Sequence, residues 1–122
     1  MENFDIPIWL ILLLAVVAWY IVRSLGQINI AEAKRHLQQG AILLDVRTSE
    51  EYEHDHIPGS VNLPLAWLTR EIGKTVKDKN TVILCHCLSG VRSGSAVSRL
   101  KRMGYTAYNV GSLGRAKKLT TD

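Results

Sequence analysis

The sequence predicts an α/β domain, a parallel sheet with helices on both faces, preceded by one transmembrane helix. Three observations predict it. Short continuous apolar runs such as Ala41-Ile42-Leu43-Leu44-Asp45-Val46 and Thr81-Val82-Ile83-Leu84-Cys85 read as strands buried on both faces. Helical stretches separate these runs at the spacing of strand–helix–strand units. Finally, residues 6–22 form a stretch of seventeen residues without a charge. The boundaries expected are 1–26 for the anchor and its flanks and 27–122 for one globular domain.

The apolar run is near the lower length that crosses a hydrocarbon core of roughly 30 Å as a helix. Pro7 suits its first turn, and Trp9, Trp19 and Tyr20 stand near its ends, where interfacial aromatics belong. A secretory signal is the competing reading. Glu2 and Asp5 stand where such a signal carries positive charge, and the run continues past Ala18, so an anchor is expected. The acids lie before the run, and Arg23, Lys34 and Arg35 after it. That contrast predicts a single-pass protein with its globular domain in the cytoplasm.

In the domain, 27–30 reads as a short strand and 31–39 as a helix ended by Gly40. Strand 41–46 follows, then a short helix capped by Ser49 and running to His54. After the Pro58-Gly59 turn, 60–63 is a strand, and Pro64 opens a helix through Ile72. Strand 81–85, helix 93–103 with Ser93 as its cap, and strand 106–110 complete the pattern. Ligands in such sheets bind beyond the carboxyl ends of the strands.

Fifteen Lys and Arg against eleven Asp and Glu give a formal +4. The charges are scattered with no run of five alike, so no nucleic-acid partner is expected. Cys85 and Cys87 are too close for an unstrained disulfide. The four histidines show no ligand spacing that would complete a zinc site, so no metal or cofactor is expected.

The loop Cys87-Leu88-Ser89-Gly90-Val91-Arg92 carries the chemistry. A strand leads into it and a helix leads out, an arrangement that aims backbone N–H groups and a helix N-terminus at one point. A sulfur at that point is favoured as thiolate, the nucleophilic form. Cys87 is therefore the expected nucleophile and Arg92 the cation closing the loop, with Leu88, Ser89, Gly90, Val91 and Ser93 lining an anion site. Cys85, inside the apolar strand, is expected to be an inert core thiol or else a resolving thiol.

Several motifs in register match a known family. Leu43-Leu44-Asp45-Val46-Arg47, Glu51-Tyr52, His56-Ile57-Pro58-Gly59-Ser60, Asn62-Leu63-Pro64 and Cys87-Leu88-Ser89-Gly90-Val91-Arg92-Ser93 resemble the rhodanese domain in order and spacing. The resemblance covers roughly 27–115 and implies a rhodanese-like three-layer domain. It also implies sulfurtransferase chemistry: a Cys87 persulfide loaded by a small donor such as thiosulfate and emptied by a thiol or cyanide acceptor. Asp45, Arg47, Glu51 and His56 are then scaffold beneath the loop, with Arg47 and Glu51 spaced to pair across a helical turn.

Three positions depart from the family pattern. Asp55 stands where a glycine is usual, which implies a strained turn if its φ is positive. Ser112 and Ala116 replace a usual Gly and Trp, so the last helix is expected to be short or poorly packed. Two other classes share features of the loop. Phosphatases and arsenate reductases use Cys-x5-Arg, one residue longer than the Cys-x4-Arg here, and a smaller ring suits a persulfide better than a phosphate ester. A non-catalytic membrane-tethered binding module would be marked by loss of the cysteine or arginine, and both are present.

Overall fold

The computed structural model describes residues 4–121, and of 23–25 the backbone only. Glu2 and the Arg23 side chain, two of the charges used to predict orientation, lie outside the described residues. An apolar helix, α1 (Ile8–Leu25), comes first. Pro7 stands just before it rather than in its first turn, its carbonyl accepting from the N–H groups of Leu10 and Ile11. Among the described residues no helix is long and apolar enough to cross a membrane. The 18 residues of α1 extend about 27 Å, against a core of roughly 30 Å.

The domain follows as α2 (Ile30–Gln38), β1 (Ile42–Asp45), α3 (Ser49–His54), β2 (Val61–Asn62), a 3-10 turn (Leu65–Trp67), α4 (Leu68–Thr75), β3 (Val82–His86), α5 (Val91–Arg102), β4 (Thr106–Gly111) and α6 (Leu113–Lys117). The four strands form one parallel sheet in the order β2-β1-β3-β4. Alternate side chains go to opposite faces. Leu44, Ile83, Cys85 and Ala107 pack with Leu68 and Ile72 of α4 and with Ala96 and Leu100 of α5. On the other face Leu43, Leu84 and Val110 pack with Ala33 of α2 and with Leu113 and Ala116 of α6. The three-layer α/β expectation is met in the domain.

Several local expectations are corrected. Residues 27–30 form no strand. Gln27 makes one isolated bridge to Asn109, and the Asn29 side chain caps α2 through the N–H groups of Ala31 and Glu32. Thr48, not Ser49, caps α3, in a reciprocal capping box with Glu51. Pro64 precedes a 3-10 turn, and the α-helix begins only at Leu68. Asp55 has φ −162°, extended backbone that any residue adopts, so the expected strain is absent. The last helix is short, five residues, as expected, but it is not poorly packed: Ser112 caps it and Leu113 and Ala116 are buried.

Candidate active site

β3 is a central strand, and the chain leaves its carboxyl end at Cys87. Two constraints shape the loop beyond it. The Cys87 N–H donates to the Gly111 carbonyl at 3.1 Å, which extends the sheet by one step. Gly90 then takes φ 97°, a left-handed conformation that a side chain would disfavour, and turns the chain into α5. Ser89 bridges to Ser112 and so ties the loop to the start of α6. Helix α5 begins at Val91, so Ser93 is not its cap as expected but lies within the first turn.

The Cys87 sulfur faces three donors: the Gly90 N–H at 3.0 Å, the Ser93 N–H at 3.4 Å and the Ser93 hydroxyl at 3.5 Å. Cys87 and Ser93 are both buried. Burial alone would push the thiol up. Bonds from the Ser93 hydroxyl and from the N–H groups of Ser93, Gly90 and Ser89 outweigh it, and the thiol is held below its ordinary value. Cys85 shows what burial does without such donors: its thiol is pushed up to about 12. The same strand therefore carries one activated and one inert sulfur. Cys85 lies in the core cluster with Cys87, on the side that strand alternation predicts.

Arg92 behaves differently from the expected anion clamp. Its guanidinium forms a two-pronged pair with Glu51, Nη1 to Oε1 at 2.6 Å and Nη2 to Oε2 at 3.0 Å. Arg92 holds the Glu51 carboxyl down to about 2, and Glu51 raises Arg92. So the loop is closed by an ion pair to α3, and the sulfur is stabilised by backbone and hydroxyl donors. The expected Arg47–Glu51 pair does not form. Arg47 lies before the Thr48 cap, off the helix, and turns back to Asp45 at 2.7 Å and to the Asp55 carbonyl at 2.6 Å. That pair is buried under the sheet's carboxyl edge, with His86 Nε2 3.8 Å from Asp45. His56 bonds through Nδ1 with the Tyr52 carbonyl at 2.7 Å and stacks on the Tyr52 ring, a scaffold role as expected.

Leu88 and Val91 flank the loop with exposed apolar side chains. Asn109, which sequence reasoning did not single out, reaches the loop from β4 through the Ser93 hydroxyl and the Gly90 carbonyl. A polar residue next to the buried Val110 near the end of the closing strand was the available signal. A separate cleft lined by His36, Gln39, Asp78 and Thr81 opens at the amino ends of β1 and β3, remote from this chemistry.

Residues 29–114 match the family model described as Rhodanese-like domain. The chain belongs to that family. This rhodanese-like chain is 39% identical over 71 residues to the thiosulfate sulfurtransferase PspE of Escherichia coli, covering 57% of this chain and 68% of that protein. It is 36% identical over 75 residues to a tRNA sulfurtransferase of Thermoplasma acidophilum, covering 62% of this chain but only 15% of that longer protein. Among solved structures, the rhodanese with anions from E. coli superposes with a TM-score of 0.60 at 35% identity, covering 62% of this chain and 91% of that one.

Proposed function

We propose that this rhodanese-like chain is a sulfurtransferase that carries a sulfane sulfur on Cys87. The observation that carries the reading is a buried thiol turned toward the Gly90 N–H, the Ser93 N–H and the Ser93 hydroxyl and held below its usual value. A thiolate so placed attacks the outer sulfur of a donor such as thiosulfate. The new S–S bond forms as the old one breaks, sulfite leaves with the bonding pair, and Cys87 becomes a persulfide anion. A thiolate or cyanide acceptor then attacks the outer sulfur, and the Cys87 thiolate returns. No proton needs to move in either step, so His86, buried on the side of Asp45, has no part in it.

Similarity to PspE, named a thiosulfate sulfurtransferase, supports thiosulfate as a donor. The test is thiocyanate formation from thiosulfate and cyanide by the full chain. Activity in the unmodified protein and none in Cys87→Ser supports the reading; equal activity in both refutes it.

We further propose that α1 tethers the domain to a membrane, with the domain on the cytoplasmic side. Exposed apolar residues lie on every side of this helix, Ile8, Trp9, Ile11, Leu14 and Val17 among them. No polar face suits it to lie flat at an interface. Its shortfall in length is within what local thinning and the flanking Phe4, Ile6 and Pro7 accommodate. The protein is expected to stay with membranes through carbonate extraction, and a C-terminal tag to be protected from protease outside intact cells. Release of the full chain into the carbonate supernatant would overturn the tether.

A further inference from the structure

We propose that Asn109 is the positioning residue of the sulfur cradle, holding the Gly90 carbonyl so that the Gly90 N–H is aimed at Cys87. Its amide reaches the loop from both ends. Oδ1 accepts from the Ser93 hydroxyl at 2.7 Å and from the Gly111 N–H at 2.9 Å, while Nδ2 donates to the Gly90 carbonyl at 3.2 Å. The Gly111 N–H decides which way round the amide sits, because the reversed amide would set a donor against a donor. Asn109 is itself anchored. Its backbone carbonyl accepts from the Ile28 N–H at 2.9 Å, and it pairs with Gln27, just after α1.

The hydroxyl of Ser93 has one proton. An amide oxygen cannot donate, so at 2.7 Å that proton belongs to Asn109, and the hydroxyl presents a lone pair to the Cys87 S–H. Once the thiol ionises, the hydroxyl proton reaches the sulfur, 3.5 Å away, only by leaving Asn109, so on this side the amide competes with the thiolate. Asn109 Oδ1 keeps its bond from Gly111, so no buried acceptor is stranded. At its other end the amide holds the carbonyl of Gly90, whose own N–H is the nearest donor to sulfur. Asn109 does not touch the sulfur; it acts through Gly90.

This deepens the sulfurtransferase reading and rests on it only for the transfer rate. The test is the pH profile of Cys87 alkylation in the full chain, with the rate of persulfide formation from thiosulfate measured beside it. Cys85 stays protonated across that range. In a Ser93→Ala background, where no hydroxyl proton is contested, Asn109→Ala should raise the alkylation midpoint by about half a unit to one unit as the Gly90 N–H loses its aim, and slow sulfur loading several-fold. Ser93→Ala alone should raise the midpoint by removing one donor, and Asn109→Ala alone should raise it by less than in that background, because it also frees the hydroxyl proton for the sulfur. Val97→Ala, a packing change in α5, should lower the melting temperature and leave the midpoint alone.

A folded Ser93→Ala/Asn109→Ala with the same midpoint as Ser93→Ala overturns the proposal. Should that variant not fold, Asn109→Ser in the same background decides, because it stays polar but cannot span to Gly90. An unmoved midpoint there, or failure of both variants to fold, also overturns it. Shifted midpoints without any sulfur loading would sink the sulfurtransferase reading and leave the positioning role standing.

Discussion

Releasing Arg92 from Glu51 should turn the loop into a stronger anion trap. The pair is two-pronged, at 2.6 and 3.0 Å, and each side chain is about one-third exposed, 35% for Arg92 and 29% for Glu51. Solvent screening at that exposure trims its worth to about 1 kcal/mol of stability. That predicts a fall in melting temperature of roughly 4–8 °C for Glu51→Gln in a domain of this size. The same change leaves the guanidinium unneutralised at the mouth of the site. Its attraction for a thiosulfate dianion is about 1 kcal/mol after screening, roughly fivefold in KM.

The assay is thiosulfate:cyanide kinetics at low and high ionic strength. Glu51→Gln should show the lower KM at low salt and converge on the unmodified protein at high salt. An unchanged or raised KM at low salt would show that Arg92 serves only as the loop's mechanical tie. The pH dependence has a definite direction. Glu51 is depressed in the folded state to about 2, so the pair's contribution is complete above the ordinary carboxylate value and is lost as pH falls toward about 2. The melting temperatures of the two proteins should converge over that window.

Other outcomes are expected from the buried polar cluster and from the loop. Burial pushes His86 down to about 4, with Asp45 opposing and Arg47 assisting. Between its unfolded value near 6.5 and about 4 the unfolded chain takes up a proton that the folded chain lacks, so stability should fall with pH by at most about 1.4 kcal/mol per unit. Urea unfolding across that range should show the slope, and His86→Leu should flatten it; an equal slope in both would rule His86 out as its source. Arg47→Met leaves the Asp45 carboxylate buried beside a lost partner and should cost about 3–5 kcal/mol; a loss under 1 kcal/mol in the same unfolding assay would show that the Asp45–Arg47 pair contributes little to stability. One glycine inserted between Ser89 and Val91 lengthens the ring to Cys-x5-Arg. It should lower thiocyanate formation and raise aryl phosphate hydrolysis above background, and unaltered rates for both would show that ring size does not select the reaction.

The parts of this molecule legible in its sequence are those decided by local pattern. The buried strands announced themselves because a strand covered on both faces needs apolar residues at every position. The Cys87 loop was legible because its thiol, Gly90 and Arg92 lie within six positions. Partners chosen in space were not. Glu51 and Arg47 are four apart and were expected to pair, yet Arg47 precedes the helix and folds back on Asp45. The partner Glu51 takes instead is Arg92, 41 positions away, which no local rule reaches. Asn109 was missed for the same reason: its two contacts in the loop depend on the pairing of β4 beside β3. The cap of α5 shifted from Ser93 to Gly90 because the sheet interaction of Cys87 with Gly111 brings the chain to its turn early. That shift leaves the Ser93 hydroxyl between Asn109 and the sulfur.

The central claim is that Cys87, and not Cys85, carries the sulfur. Its most direct test is the intact mass of the full chain after thiosulfate treatment, with mapping of the modified peptide, repeated on Cys87→Ser. The account predicts one added sulfur atom, located on Cys87, removed by cyanide and absent from the variant. An unmodified protein, or a sulfur that persists in Cys87→Ser, would contradict it.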